Sequence, residues 1–108
     1  MNLMLKDTDC MLYEKCQGAE KAFCEDWKTL VDIDSPTGYT EGITKVGRII
    51  ISKLQAIGAQ VHTFPAGEGS EEVHVRGTLR GRGKGRILLQ AHMDTVMPVG
   101  SAAKRHSA

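Results

Sequence analysis

No pair of cysteines stands at the spacing of a metal knuckle or a redox motif. The three present, Cys10, Cys16 and Cys24, are odd in number and confined to the first quarter of the 108 residues. Free thiols in a reducing compartment are therefore the expected state. Neither sign of charge dominates: 14 Lys and Arg stand against 13 Asp and Glu, a formal net charge of +1. That balance argues against a general nucleic-acid or membrane-surface binder, and neither partner is expected. No apolar run approaches the ~18 residues that span a bilayer. The opening MNLMLKDTDC has no basic stretch followed by an apolar one, so a signal peptide is not seen and a cytoplasmic location is expected. Internal repeats and low-complexity tracts are also missing.

What is there is ordinary globular material, 41% hydrophobic and 25% charged. A single domain of this length can bury roughly two-thirds of the surface its unfolded chain exposes. Leu12, Cys16, Ala19, Phe23, Trp27 and Leu30 recur at steps of three and four, one face of an amphipathic helix with Phe23 and Trp27 as expected core residues. Pro36 and Gly38 end it. A second helix is expected from Thr40 and Glu41, with Ile43, Val46, Gly47, Ile50, Leu54 and Ile57 as its stripe and Gly58 just past its end. Then the period switches to two. Residues 59–64 and 73–79 alternate as strands around a Gly-rich loop at 65–70, and Gly81 to Gly85 reads as a turn. Residues 87–91, continuous in apolar character, read as a third strand buried on both faces. Two helices can cover one face of such a sheet, and no later element in the sequence covers the other.

His92 and Asp94 follow that strand directly. Residues two apart in an extended chain project to the same side, and the carboxyl edge of an open α/β sheet is where ligands and catalytic groups collect. A neutral imidazole is a good zinc ligand, and a neighbouring carboxylate can fix its tautomer and orientation. Taken by itself, the same spacing also suits a hydrogen-bonded pair at a strand end.

The stretch LLQAHMDTVMPVGSAAKR resembles the first metal-binding segment of the zinc-dependent carboxypeptidase and deacylase family. That family includes acetylornithine deacetylase and succinyl-diaminopimelate desuccinylase. The likeness is greatest to its glutamate carboxypeptidase (carboxypeptidase G) branch. LVDIDSPTGYTEG resembles the loop between the first two family helices, and RGTLRGRGKGRILLQAHMD the strand, turn and strand before the metal site. The resemblance runs in order from about Ala22 to Arg105. It implies an α/β fold, the N-terminal part of a zinc-peptidase catalytic domain, with two helices followed by a three-stranded start of a mixed sheet. His92 is then the metal ligand and Asp94 the active-site carboxylate beside it.

The implied reaction is hydrolysis of the amide bond of a C-terminal, glutamate-type residue or an N-acyl amino acid, with two zinc ions in a homodimeric parent. In family members the general-base Glu and the remaining ligands come from later segments. Residues 1–108 are accordingly expected to be an incomplete N-terminal portion, inactive and without stably bound zinc. Where relatives read Lys-Arg-Pro-Phe-Arg, this chain reads Lys104-Arg-His-Ser-Ala108. Deleting one C from the codons CGC CCA TTC CGC yields Arg-His-Ser-Ala, so a frameshift is compatible; a short paralogue and a deliberate truncation stay open.

Other signals carry less. Arg76, Arg80, Arg82, Lys84 and Arg86 are interleaved with glycines but lack a stacking aromatic, which suits a solvated turn. Gly42 to Ile49 spaces its glycines like a phosphate loop, yet Arg48-Ile49 stands where Lys-Ser/Thr is required. His62 and His74, on adjacent strands, suit a solvent-side pair without a third ligand. The competing functional expectation is a small stand-alone α/β module that binds a partner through its sheet edge or the basic turn.

Overall fold

A computed structural model describes residues 7–106, with side chains described as far as Lys104. The chain divides into two compact units, Met1–Val31 and Asp32–Ala108. In the first, α1 (Asp7–Gly18) and α2 (Glu20–Val31) replace the single helix expected across residues 12–30. The break is at Ala19, whose N–H is shared between the carbonyls of Lys15 (3.1 Å) and Cys16 (3.2 Å). The preceding Gly18 is a poor helix former. Asp7 and Asp9 lie in the first turn of α1, where negative charge favours the helix dipole. Phe23 and Trp27, one turn apart on α2, stack at 5.9 Å between ring centroids. The expectation that they are core residues is not met. They stay 62% and 59% exposed, because neither helix of this unit has any buried residue. Cys10, Cys16 and Cys24 are free and exposed, as the unpaired pattern suggested.

The second unit opens with the turn 34–38, followed by α3 (Thr40–Ala56), β1 (Gln60–Pro65), β2 (Val73–Thr78) and α4 (Ser101–His106). The C-terminal end of α3 follows from Gly58. Its φ of +85° lets its N–H reach the Gln55 carbonyl (3.0 Å) while Ala59 N–H reaches that of Leu54 (2.9 Å). This reciprocal pair closes the helix and turns the chain into β1. β1 and β2 then form an antiparallel hairpin, with His62 opposite Arg76 and Phe64 opposite His74. Strand alternation puts these four on one face, where the Arg76 guanidinium lies 4.9 Å from the Phe64 ring centre. His62 and His74 are thus diagonal neighbours rather than partners. The other face meets α3: a β-carbon on Gly77 would come within 2.9 Å of the Leu54 methyls.

The core is small. Ile43, Val46, Ala59 and Ala102 are its buried apolar side chains, and no side chain among the described residues is fully enclosed. The fold is mixed α/β, but its sheet has two strands and not the three expected. Residues 87–91 join no strand, and Ile87, Leu88 and Leu89 are 91%, 81% and 89% exposed. A strand apolar on both sides needs neighbouring strands and covering helices. Among the described residues the hairpin has already given its inward face to α3. No helix among them is long and apolar enough to cross a membrane.

An uncovered apolar segment of this kind is a template for edge-to-edge pairing. The purified chain is expected to self-associate as its concentration rises. Leu88→Lys should shift the sedimentation profile towards monomer without altering the helical circular dichroism; an unchanged profile would show that 87–91 is not the contact.

Candidate functional site

The site grows from the turn Asp34-Ser-Pro-Thr-Gly38, which folds back on residues 92–102. Gly38 adopts φ +88° and Tyr39 N–H bonds the Pro36 carbonyl (2.9 Å), setting the direction from which α3 departs. At Gly42 a side chain is excluded, since a β-carbon would overlap the Asp34 carbonyl oxygen. Loop and helix therefore touch through backbone. Tyr39 donates its hydroxyl to Glu41 Oε2 (3.2 Å). That bond, with the charge of Glu41, raises the phenol above its ordinary pKa.

Opposite the turn, Thr95 N–H donates to the Ser35 carbonyl (2.8 Å) and Thr37 N–H to the Thr95 carbonyl (3.1 Å), a parallel bridge between Pro36 and Thr95. The Ser35 hydroxyl, on a residue only 2% exposed, donates to the Met93 carbonyl (3.1 Å). The Met93 sulfur lies 3.6 Å from where Gly47 would carry a β-carbon, so Met93 seats against α3. Alternation then places His92 and Asp94 together on the other side. The Asp34 carboxylate reaches further, accepting the Gly100 N–H on Oδ2 (2.8 Å) and the Ala102 N–H on Oδ1 (3.0 Å). It caps the start of α4 from a distant loop.

The two residues singled out in the sequence are in contact. His92 Nδ1 lies 2.8 Å from the Asp94 carbonyl oxygen and 3.1 Å from Asp94 Oδ1. Both partners are acceptors, which assigns a proton to Nδ1; in the neutral ring the lone pair is then on Nε2. The His92 side chain is 83% exposed and that of Asp94 37%. Asp94 Oδ2 accepts the Thr37 hydroxyl at 2.6 Å. That hydrogen bond chiefly, helped by His92 and opposed by partial desolvation, holds the Asp94 carboxyl below the usual carboxylate range.

A neutral imidazole with Nε2 open and Nδ1 held by a carboxylate fits one metal ligand. No group of three or more His, Cys, Asp or Glu among the described residues could hold a metal ion, and His62 and His74 gain no third partner. Sequence reasoning missed Asp34, Ser35 and Thr37 as members of the site. Their signal was three oxygen-bearing side chains within four residues shortly before a helix, a pattern that suits a turn equally well.

Two outcomes follow from these bonds. Asp34→Ala removes both distant caps of α4 and should lower stability by about 1–2 kcal/mol, read as a lower urea midpoint at unchanged slope; an unchanged midpoint would contradict the capping role. Asp94, released from its proton more readily folded than unfolded, gives its full stabilisation above the ordinary pKa of about 3.9. This share is lost as pH falls through the lower folded value. Carboxyl carbon titration by NMR should accordingly place the Asp94 midpoint below that of a free Asp, and a midpoint at or above it would refute the assigned hydrogen bonds.

No family model matches the chain. Compared protein by protein, it is similar to Carboxypeptidase G2 of Pseudomonas sp. (strain RS-16), 30% identical over 96 residues that make up 89% of this chain and 23% of that protein. The chain thus spans about a quarter of the length of the curated relative it matches, and the similarity supports a distant, carboxypeptidase-G-like relationship.

Proposed function

We propose that residues 1–108 are an incomplete N-terminal portion of the catalytic domain of a zinc-dependent hydrolase. Its bond would be the amide of a C-terminal, glutamate-type residue or of an N-acyl amino acid. In this reading His92 offers Nε2 to the metal, and Asp94 holds the opposite ring nitrogen, fixing the tautomer and the plane of the imidazole. Zinc, when bound in such enzymes, supplies an acidified water and a polarised carbonyl. The other ligands and the general base lie outside residues 1–108, as does a dimer contact. The observation that supports the reading is the pair of acceptors on His92 Nδ1. Together with the similarity to Carboxypeptidase G2, it favours a metal-ligating segment over a chance strand-end pair.

Zinc titration of the 108-residue chain, followed through the histidine ring nitrogens by NMR, tests the assignment. His92 should respond first and weakly, His92→Ala should abolish that response, and no N-acyl-glutamate should be hydrolysed. A response confined to His62 or His74 would overturn the ligand assignment. Turnover by the zinc-loaded chain would overturn its incompleteness.

A further inference from the structure

We propose that Thr37 is a positioning residue for His92, acting through the carboxylate of Asp94. The proposal rests on the reading of His92 as a ligand oriented by Asp94, and adds the group that orients Asp94 itself.

A carboxylate beside an exposed imidazole has two rotations to lose before it can serve as a fixed acceptor. Here Oδ2 takes the Thr37 hydroxyl at 2.6 Å, which leaves Oδ1 directed at His92 Nδ1, 3.1 Å away. The hydroxyl is itself well placed. Thr37 N–H bonds the Thr95 carbonyl and Thr95 N–H the Ser35 carbonyl, so the backbone on both sides of the Pro36–Thr95 bridge is held. A threonine in fixed backbone has few χ1 rotamers. The chain of dependence runs from the turn to Thr37, to Asp94, to His92. A threonine is suited to this position because it donates one proton and brings no charge that would compete with the imidazole for the carboxylate.

The Asp94 carbonyl, 2.8 Å from Nδ1, is the group that could make Thr37 dispensable. If that carbonyl alone fixed the ring, neither the carboxylate nor its anchor would matter to the tautomer. A charge-assisted bond is about twice as strong as a neutral one, so the oriented carboxylate is expected to carry the larger share.

The experiment measures the ratio of Nδ1–H to Nε2–H forms of neutral His92, by long-range proton–nitrogen correlation on the metal-free 108-residue chain. Wild type should be predominantly Nδ1–H. Thr37→Val, which keeps shape and removes the donor, should lower the ratio about tenfold, the loss expected of one charge-assisted bond. Thr37→Ser should restore it, and Thr37→Ala serves if the valine variant fails to fold. Asp94→Ala separates the role of the carboxylate from that of its anchor. If Asp94→Ala lowers the ratio and Thr37→Val leaves it unchanged, the Thr37 proposal falls while the orienting role of Asp94 stands. If Asp94→Ala leaves it unchanged, the carbonyl suffices and both fall. A Thr37→Ser chain that behaves like the valine variant would also overturn the proposal, since the hydroxyl would then not be the operative group.

Discussion

Everything that gives His92 and Asp94 a fixed place depends on hydrogen bonds between the turn 34–38 and residues 92–102. Without them, that stretch would be open chain. It carries no strand ladder, and the apolar residues preceding it are bare. Backbone pairs at Ser35, Thr37 and Thr95 set the register, the Ser35 hydroxyl holds Met93, and the Asp34 carboxylate anchors the helix beyond. With the Thr37 hydroxyl on Asp94, six polar contacts thus do what a sheet does elsewhere. They can because the participating groups are short side chains and main chain, which lose little rotational freedom when they bond.

Polar anchoring also explains how a site can be ordered above so small a core. Ile43 and Val46 lie on the first two turns of α3, Gly42 and Gly47 beside them. The absence of side chains at those glycines lets the turn and Met93 approach the helix closely. Packing and hydrogen bonding are concentrated at the same end of α3. Further along the helix, Leu54 meets the hairpin, where Gly77 makes room for it.

Much of this was legible in the sequence, for reasons that differ from element to element. The stripe of α3 as far as Leu54 and the glycine that ends it are local, and so are the alternating strands of the hairpin; Ile57, expected to continue the stripe, lies past the helix and is exposed. Local patterns carry their structure with them. The juxtaposition of His92 and Asp94 was legible for the same reason. The break at Ala19 was not, because helical spacing continues across it and Gly18 is a weak signal inside a periodic run. The third strand failed for the opposite reason. Its apolar residues state a need for neighbours on both faces, and a need is not a partner. Asp34, Ser35 and Thr37 lie in the turn that Pro36 and Gly38 mark. Their second use lies with residues 57 to 68 positions away, and no local rule reaches that far.

That separation has a consequence for the order in which the unit assembles. α3 and the hairpin close through contacts nearer in sequence than those of the turn, at lower entropic cost. The bonds from the turn to residues 92–102 must close a loop that contains both of those elements, and long closures come late because their cost precedes their reward. The imidazole and carboxylate are neighbours in the chain from the start, yet their shared orientation is expected late in folding. On that expectation the scaffold forms before the chemistry has an address.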